Sequence, residues 1–291
     1  MIDRVKDSIM RFREHQQEDL KRSIIRADTL RKERKLEDSI LEYSLALEFD
    51  PNNAKCYHKR AANHYQLNQF EEAIRCETEA LKLEPNNYLY YNNRGLNYCG
   101  INKHKLALAD FNEAIRLNPN QANLFKNRGD CYRDLGEYKK ALSDYEAAVG
   151  IQPSNDNIFS GRAECYFLMG DYKSALSNLT EAIRLKPSDH VYQRNRGDIY
   201  YELKKFDQAL SDYTRAIELK PEYSVALNNR GNTYFNQKNY DKAIADYNEA
   251  IRLEPANYLY YTHRSKALKK AGRAEEAARD QQLAAELQKP K

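Results

Sequence analysis

Seven of the eight prolines stand 34 residues apart: Pro51, Pro85, Pro119, Pro153, Pro187, Pro221 and Pro255. A step that constant means one small unit repeated along the chain, stacked so that each copy touches mainly its neighbours. Two further columns keep the same step. Ala46, Ala80, Ala114, Ala148, Ala182, Ala216, Ala250 and Ala284 form an unbroken alanine column. Ala73, Ala107, Ala141, Ala175, Ala209, Ala243 and Ala277 form a second, with Ser39 in the first copy. Small residues at fixed points let two helix backbones approach closely, so these columns mark helix crossings.

The spacing of large and small residues within a unit adds detail. Tyr91, Gly95, Tyr98, Ala107, Phe111, Ala114 and Pro119 recur in the next copy as Phe125, Gly129, Tyr132, Ala141, Tyr145, Ala148 and Pro153. Together these residues resemble the tetratricopeptide repeat. Placing each proline where that family has it starts the copies at Leu20, Ala54, Tyr88, Ala122, Asp156, His190, Ser224 and Tyr258. The resemblance implies an all-α, right-handed superhelical solenoid of eight helix-turn-helix repeats over residues 20–291, after a leader at 1–19. It also implies a non-enzymatic scaffold for protein partners.

Composition narrows the alternatives. A mean hydropathy of −0.91 with 41% hydrophobic residues suits an exposed helical array, and no apolar run is long enough for a membrane span. The opening MIDRVKDSIM has no apolar core, which argues against a secretory signal. Lys and Arg number 47 against 43 Asp and Glu, a net charge of +4 too mild and dispersed to predict a nucleic-acid partner. Cys56, Cys76, Cys99, Cys131 and Cys165 are an odd, scattered set without CxxC spacing, which favours free thiols in a reducing, cytoplasmic setting over a disulfide framework or a zinc site. The six histidines show no metal-binding spacing, and there is no phosphate loop, nucleophile elbow or dinucleotide fingerprint. The expectation is therefore no enzyme, no cofactor, no nucleic-acid or membrane partner, and a monomer or weak self-association.

The ends depart from the pattern. Ile2, Val5, Ile9 and Phe12 form one stripe of an amphipathic leader helix, read as a cover for the first repeat. In repeat one, Ser23 stands where later copies have aromatics, and a charged loop is expected at 31–35. Repeat two has His64 in place of Tyr and Glu77 in place of an aromatic, which weakens its packing or marks a local polar contact. In repeat eight, Ala274, Ala278, Gln281 and Ala285 replace large apolar residues and read as a cap, or as the edge of a longer array.

Two columns carry the functional question. Arginine occupies one place in every copy, at 26, 60, 94, 128, 162, 196, 230 and 264. A second-helix column holds Glu42, Asp110, Asp144, Asp212, Asp246 and Asp280, with Cys76 and Asn178 as exceptions. Matched columns of opposite charge predict repeated ion pairs rather than a phosphate ladder. By resemblance, the first helices line a concave groove. Asn93, Asn127, Asn195 and Asn229 then form a broken asparagine ladder, similar to one that holds an extended peptide in the transferase that attaches N-acetylglucosamine to Ser and Thr. An asparagine amide both donates and accepts, so it can pair with a peptide backbone. The expected peptide-binding residues are Asn127, Asp130, Glu164 and Phe167, then Arg194, Asn195, Asp198 and Tyr201, then Asn228, Asn229, Asn232 and Phe235. Acidic Asp130, Asp134, Glu164, Asp198 and Glu202 with aromatic Phe167, Tyr201 and Phe235 would favour a basic or apolar segment over a nucleic-acid backbone.

Three competing functions follow. A co-chaperone for the acidic tail of a heat-shock chaperone would need the family's clamp. The clamp is not met, because Asp130 follows Lys126 where Asn is required, and Val191 and Asn195 stand where Lys and Arg are required. An RNA-binding helical array would need a basic groove. The regulatory part of a larger enzyme is the third reading.

Overall fold

The computed structural model describes the backbone of residues 2–288 and the side chains of Met10 and of residues 14–288. The stripe Ile2, Val5, Ile9 and Phe12 lies outside the described side chains. Among the described residues there are sixteen helices and no strands. They fall into two compact units, Met1–Pro153 and Ser154–Lys291.

The first unit holds α1 (Ile2–Lys32), α2 (Leu36–Phe49), α3 (Ala54–Gln66), α4 (Phe70–Leu83), α5 (Tyr88–Gly100), α6 (His104–Leu117), α7 (Ala122–Asp134) and α8 (Tyr138–Ile151). The second holds α9 (Asp156–Leu168), α10 (Tyr172–Leu185), α11 (His190–Glu202), α12 (Phe206–Leu219), α13 (Ser224–Asn236), α14 (Tyr240–Leu253), α15 (Tyr258–Lys270) and α16 (Ala274–Leu287). Within each unit, every helix packs on the next in sequence, and first helices of successive repeats also touch at α5 and α7, α11 and α13, and α13 and α15. That is the pattern of an all-α solenoid. The leader and the first helix of repeat one are a single helix, α1. It runs through Lys32 and confines the charged turn to Glu33–Lys35, because nothing between 14 and 32 is a glycine or proline that would break it.

The repeat signals have local physical causes. The residue before each of the seven prolines is extended, with φ from −128° to −142° and ψ from 75° to 92°, and it ends the second helix. Proline clashes with a helical predecessor, so the chain must leave the helix there. Asn53, Asn87, Asn155, Asp189 and Asn257 then cap the following helix by accepting from a backbone N–H of its first turn. Between the two helices of a repeat, one residue enters the left-handed region: Arg34, Asn68, Asn102, Gly136, Gly170, Lys204, Lys238 or Gly272. In repeat four this makes a reversal in which the Glu137 N–H reaches the Tyr132 carbonyl at 2.9 Å.

Both alanine columns are buried, with relative exposures of 7% or less. Small and large also interlock at a third column. A Cβ at Gly231 would lie 2.7 Å from the Tyr247 ring, and one at Gly95 or Gly197 would lie 2.8 Å from Phe111 or Tyr213. In these three repeats a glycine on the first helix makes room for the aromatic of the second, whereas in repeat one Ala27 stands in that column and Tyr43 is still fully buried.

Candidate functional site

From repeat two on, the arginine column is internal structure, whereas Arg26 is exposed and reaches Glu42 at 3.1 Å. Arg94, Arg128, Arg196, Arg230 and Arg264 each grip Asp110, Asp144, Asp212, Asp246 and Asp280 with two nitrogens, at 2.6–2.9 Å. The aspartates are buried and the arginines about one-fifth exposed. A planar guanidinium matches both oxygens of a carboxylate, which makes these the strong kind of pair. The remaining nitrogen of Arg94, Arg128, Arg230 and Arg264 reaches back to Thr78, Asn112, Thr214 and Asn248 on the second helix of the preceding repeat. Each of these arginines thus ties its own repeat to the one before. Where the acid is missing, Arg162 donates to Asn178 Oδ1 at 2.6 Å, and Arg60 donates to Cys76 Sγ and Ser44 Oγ.

The groove carboxylates are occupied as well, which differs from an open acidic wall. Asp130 accepts from the Tyr145 hydroxyl at 2.6 Å and pairs with Lys126 at 2.7 Å. Asp198 accepts from the Tyr213 hydroxyl and from Asn229 Nδ2, and pairs with Arg194 at 2.8 Å. Burial works against the Arg194 charge, but Asp198 and the Tyr223 hydroxyl outweigh it and hold that guanidinium above its ordinary value. Burial, with Asp198 beside it, pushes the Tyr213 hydroxyl far up. In the asparagine ladder, Asn127 donates to Asn92 and Asn229 to Asp198, while Asn228 contacts Asn229 and His263. Asn195 has no side-chain partner among the described residues.

Asn127 and Asp130 belong to the first unit; the other ten expected residues belong to the second. Five of those ten, Glu164, Phe167, Arg194, Asn195 and Asp198, line one recess of about 380 Å³ over α9 and α11. Its floor is apolar, from Ala163, Leu179, Val191 and Ile199, and its rim is polar. A second recess of about 230 Å³ is lined by Tyr201, Asn232 and Phe235 with Asn236, Tyr247, His263 and Lys266. Phe167, Tyr201 and Phe235 are half-buried, each tilted against the first residue of the next helix: Tyr172, Phe206 and Tyr240.

The first recess has a cause in sequence. Repeat five carries Ser160 where repeats four and six carry Lys126 and Arg194, and Gly161 where they carry Asn127 and Asn195. Its second helix has Leu179 where repeats four, six and seven have a tyrosine whose hydroxyl reaches across to the first helix. Two of these shortened side chains, Ser160 and Leu179, line the open space.

Two features have no signal in the sequence pattern. A wide cavity of about 990 Å³ in the first unit is lined by Asp28, Arg31, Lys32, Arg34, Leu36, Lys59 and Gln66, with Lys59 tied to Asp28 at 2.8 Å. Leu36 is its one apolar wall, so it offers little to anchor a ligand. Cys99, His104 and Cys131 also come together, their ligand atoms all within 4.8 Å of one another. The hydrogen bond from Cys99 pulls the Cys131 thiol down, with His104 helping against burial. The cysteines are 32 residues apart, so no spacing rule would find them.

The fold and these repeated surfaces define a helical-repeat interaction protein. Tetratricopeptide-repeat profiles match residues 54–87, 88–121, 120–188, 197–238 and 224–257, and the chain belongs to the tetratricopeptide repeat family. Proteins built this way are typically non-catalytic scaffolds for other proteins. No curated protein matches the chain. Among solved structures, a tetratricopeptide repeat protein from Parabacteroides merdae aligns with a TM-score of 0.70 at 18% identity, over 86% of this chain and 99% of that one. The APC/C hetero-tetramer Cut9-Hcn1 aligns with a TM-score of 0.65 at 18% identity over 91% of this chain, which spans 52% of its relative's length. YrrB, described as a TPR protein with an unusual peptide-binding site, aligns with a TM-score of 0.51 at 25% identity over 63% of this chain and 95% of its own. Among the described residues, no helix is long and apolar enough to cross a membrane.

Proposed function

We propose that the chain is a scaffold that holds an extended segment of a protein partner in the recess over α9 and α11. The observation that carries this reading is the recess itself: an apolar floor, a polar rim, and the Asn195 amide without a side-chain partner among the described residues. An apolar side chain of the segment fills the floor while Asn195 pairs with its backbone. Asp198 and Tyr201 lie one turn apart on α11, so the segment continues from the first recess to the second. The ion pair of Arg194 with Asp198 balances charge at the rim. Recognition therefore rests on shape and backbone pairing more than on a basic partner sequence. Asn127 and Asp130, on α7, are committed to Asn92, Tyr145 and Lys126, so the reading rests on the second unit. The peptide-binding site of YrrB supports the general mode, and the odd, scattered set of five cysteines supports a reducing, cytoplasmic setting.

The test is selection of displayed random peptides on the intact chain, followed by titration of the best binder. Asn195→Ala should weaken binding by about tenfold with an unchanged melting temperature, as expected for a lost charge-free backbone pair. Ser160→Arg, which refills the recess as in repeats four and six, should abolish it. Equal binding by wild type and both variants would place the peptide elsewhere.

A further inference from the structure

Two facing positions that hold a ring pair in four of the eight repeats change chemistry together in repeat three. The last turn of the first helix and the first residue of the second form ring pairs at Tyr65 and Phe70, Phe167 and Tyr172, Tyr201 and Phe206, and Phe235 and Tyr240, with centroids 5.6–6.0 Å apart. In repeat three the same two places hold Cys99 and His104. The next repeat adds Cys131, which is buried against them. Packing alone does not call for this exchange, because the ring pair fits the same scaffold four times.

We propose that Cys99, His104 and Cys131 form a three-ligand site for a thiophilic divalent cation, zinc in the first instance, that clips repeat three to repeat four. Zinc bonds of about 2.3 Å to sulfur and 2.0–2.1 Å to nitrogen, at a tetrahedral angle, put sulfur and nitrogen about 3.6 Å apart and two sulfurs about 3.8 Å apart. Cys131 Sγ lies 3.8 Å from His104 Nδ1, and all three ligand atoms lie within 4.8 Å of one another. Closing onto an ion thus needs separations to shrink by only about an ångström. The ligands come from α5, the first turn of α6, and α7, so the ion bridges three helices of one unit. Cys99 and His104 are only half-buried, which leaves an entry path and room for water at the fourth position. Binding replaces two thiol protons, which leave to solvent, and neutral imidazole supplies the third bond.

The experiment is titration of the full chain with Co²⁺ and then Zn²⁺, with a phosphine reductant present throughout. One Co²⁺ per chain should give the visible bands of a tetrahedral site and thiolate-to-metal absorption, and Zn²⁺ should displace it and raise the melting temperature. The variant carrying Cys99→Tyr and His104→Phe restores the ring pair found in repeats five to seven, so it should fold as wild type does. It should lose metal affinity by at least about tenfold, since removing a ligand costs more than disturbing a ligand's support. Cys165→Ser should bind as wild type does. Absence of the tetrahedral spectrum, unchanged affinity in the ring-pair variant, or a Cys99–Cys131 disulfide with no metal uptake under reductant would overturn the proposal.

Discussion

Repeats two and seven share a backbone plan and differ in what fills it. In repeat seven, Arg230 grips Asp246 with two nitrogens, Gly231 admits the Tyr247 ring, and the Tyr247 hydroxyl donates to Asn232 at 2.7 Å. In repeat two the corresponding places hold Arg60 and Cys76, Ala61 and Glu77, and Ala62. Arg60 settles for the Cys76 sulfur at 3.3 Å and the Ser44 hydroxyl at 3.1 Å. Glu77 is 1% exposed and meets His58 Nδ1 at 2.9 Å, while its Oε2 has no well-formed hydrogen bond, although the Asn93 amide lies near. Asn63 is buried too, donating to the Ser39 hydroxyl with its own oxygen unpartnered. The polar contact expected at Glu77 is thus present. The contrast teaches that the alanine and proline columns suffice to shape a repeat, whereas the arginine–aspartate and glycine–aromatic pairs set how firmly it is held.

The largest effect should come from removing an acid. Asp246→Ala leaves the Arg230 guanidinium without its partner and should cost about 3 kcal/mol, the low end for a broken buried pair because the arginine can reach water. Cys76→Ala removes only a weak sulfur contact and should cost about 1 kcal/mol. Urea unfolding of the two variants measures both, and equal costs would break the comparison.

Next in size is relief of the buried carboxylate. Glu77→Leu gives repeat two the alanine–leucine pair that repeat five has at Ala163 and Leu179, and should stabilise by about 1 kcal/mol at neutral pH. Burial pushes the Glu77 carboxyl up, against the pull of His58. A raised value means the folded chain holds that proton more tightly than the unfolded chain. Its contribution is therefore present below the ordinary carboxylate range and lost as pH rises through the raised value. The advantage of Glu77→Leu should accordingly widen in paired thermal melts as pH rises above the ordinary carboxylate range. A constant or shrinking gap would show that the carboxylate is better solvated than its burial indicates.

The smallest effect tests the turns. Lys238 in repeat seven has φ of 64°, and Asn68 in repeat two has 57°. Lys238→Gly should gain about 0.5 kcal/mol, the left-handed penalty less the greater freedom glycine has when unfolded. Asn68→Gly should change stability by less, since asparagine enters that region readily. Calorimetry on the pair would sharpen the contrast or remove it.

The candidate site was less legible than the scaffold. Asn195, Phe167, Arg194 and Asp198 could be placed on first helices by repeat position, and they do share a recess. Repeat position also makes Asp130 and Asp198 look like available acids, because it does not reveal the Tyr145 and Tyr213 hydroxyls that reach them from another helix. Gly161 reads along the chain as a gap in a ladder, whereas the recess is lined by its neighbour Ser160 and by Leu179 of the next helix.

By itself the sequence determined the repeat, its helix pairs and the partners of the arginine column. These follow from local rules: proline ends a helix, asparagine caps one, and two charged columns at one period must meet. Tertiary structure alone decided which polar groups remain open to a ligand and which cysteines become neighbours. Those outcomes depend on side-chain reach across helices, a matter of a few ångströms that spacing along the chain does not encode. Cys99 and Cys131 are separated by 32 residues and brought together only when one repeat packs on the next.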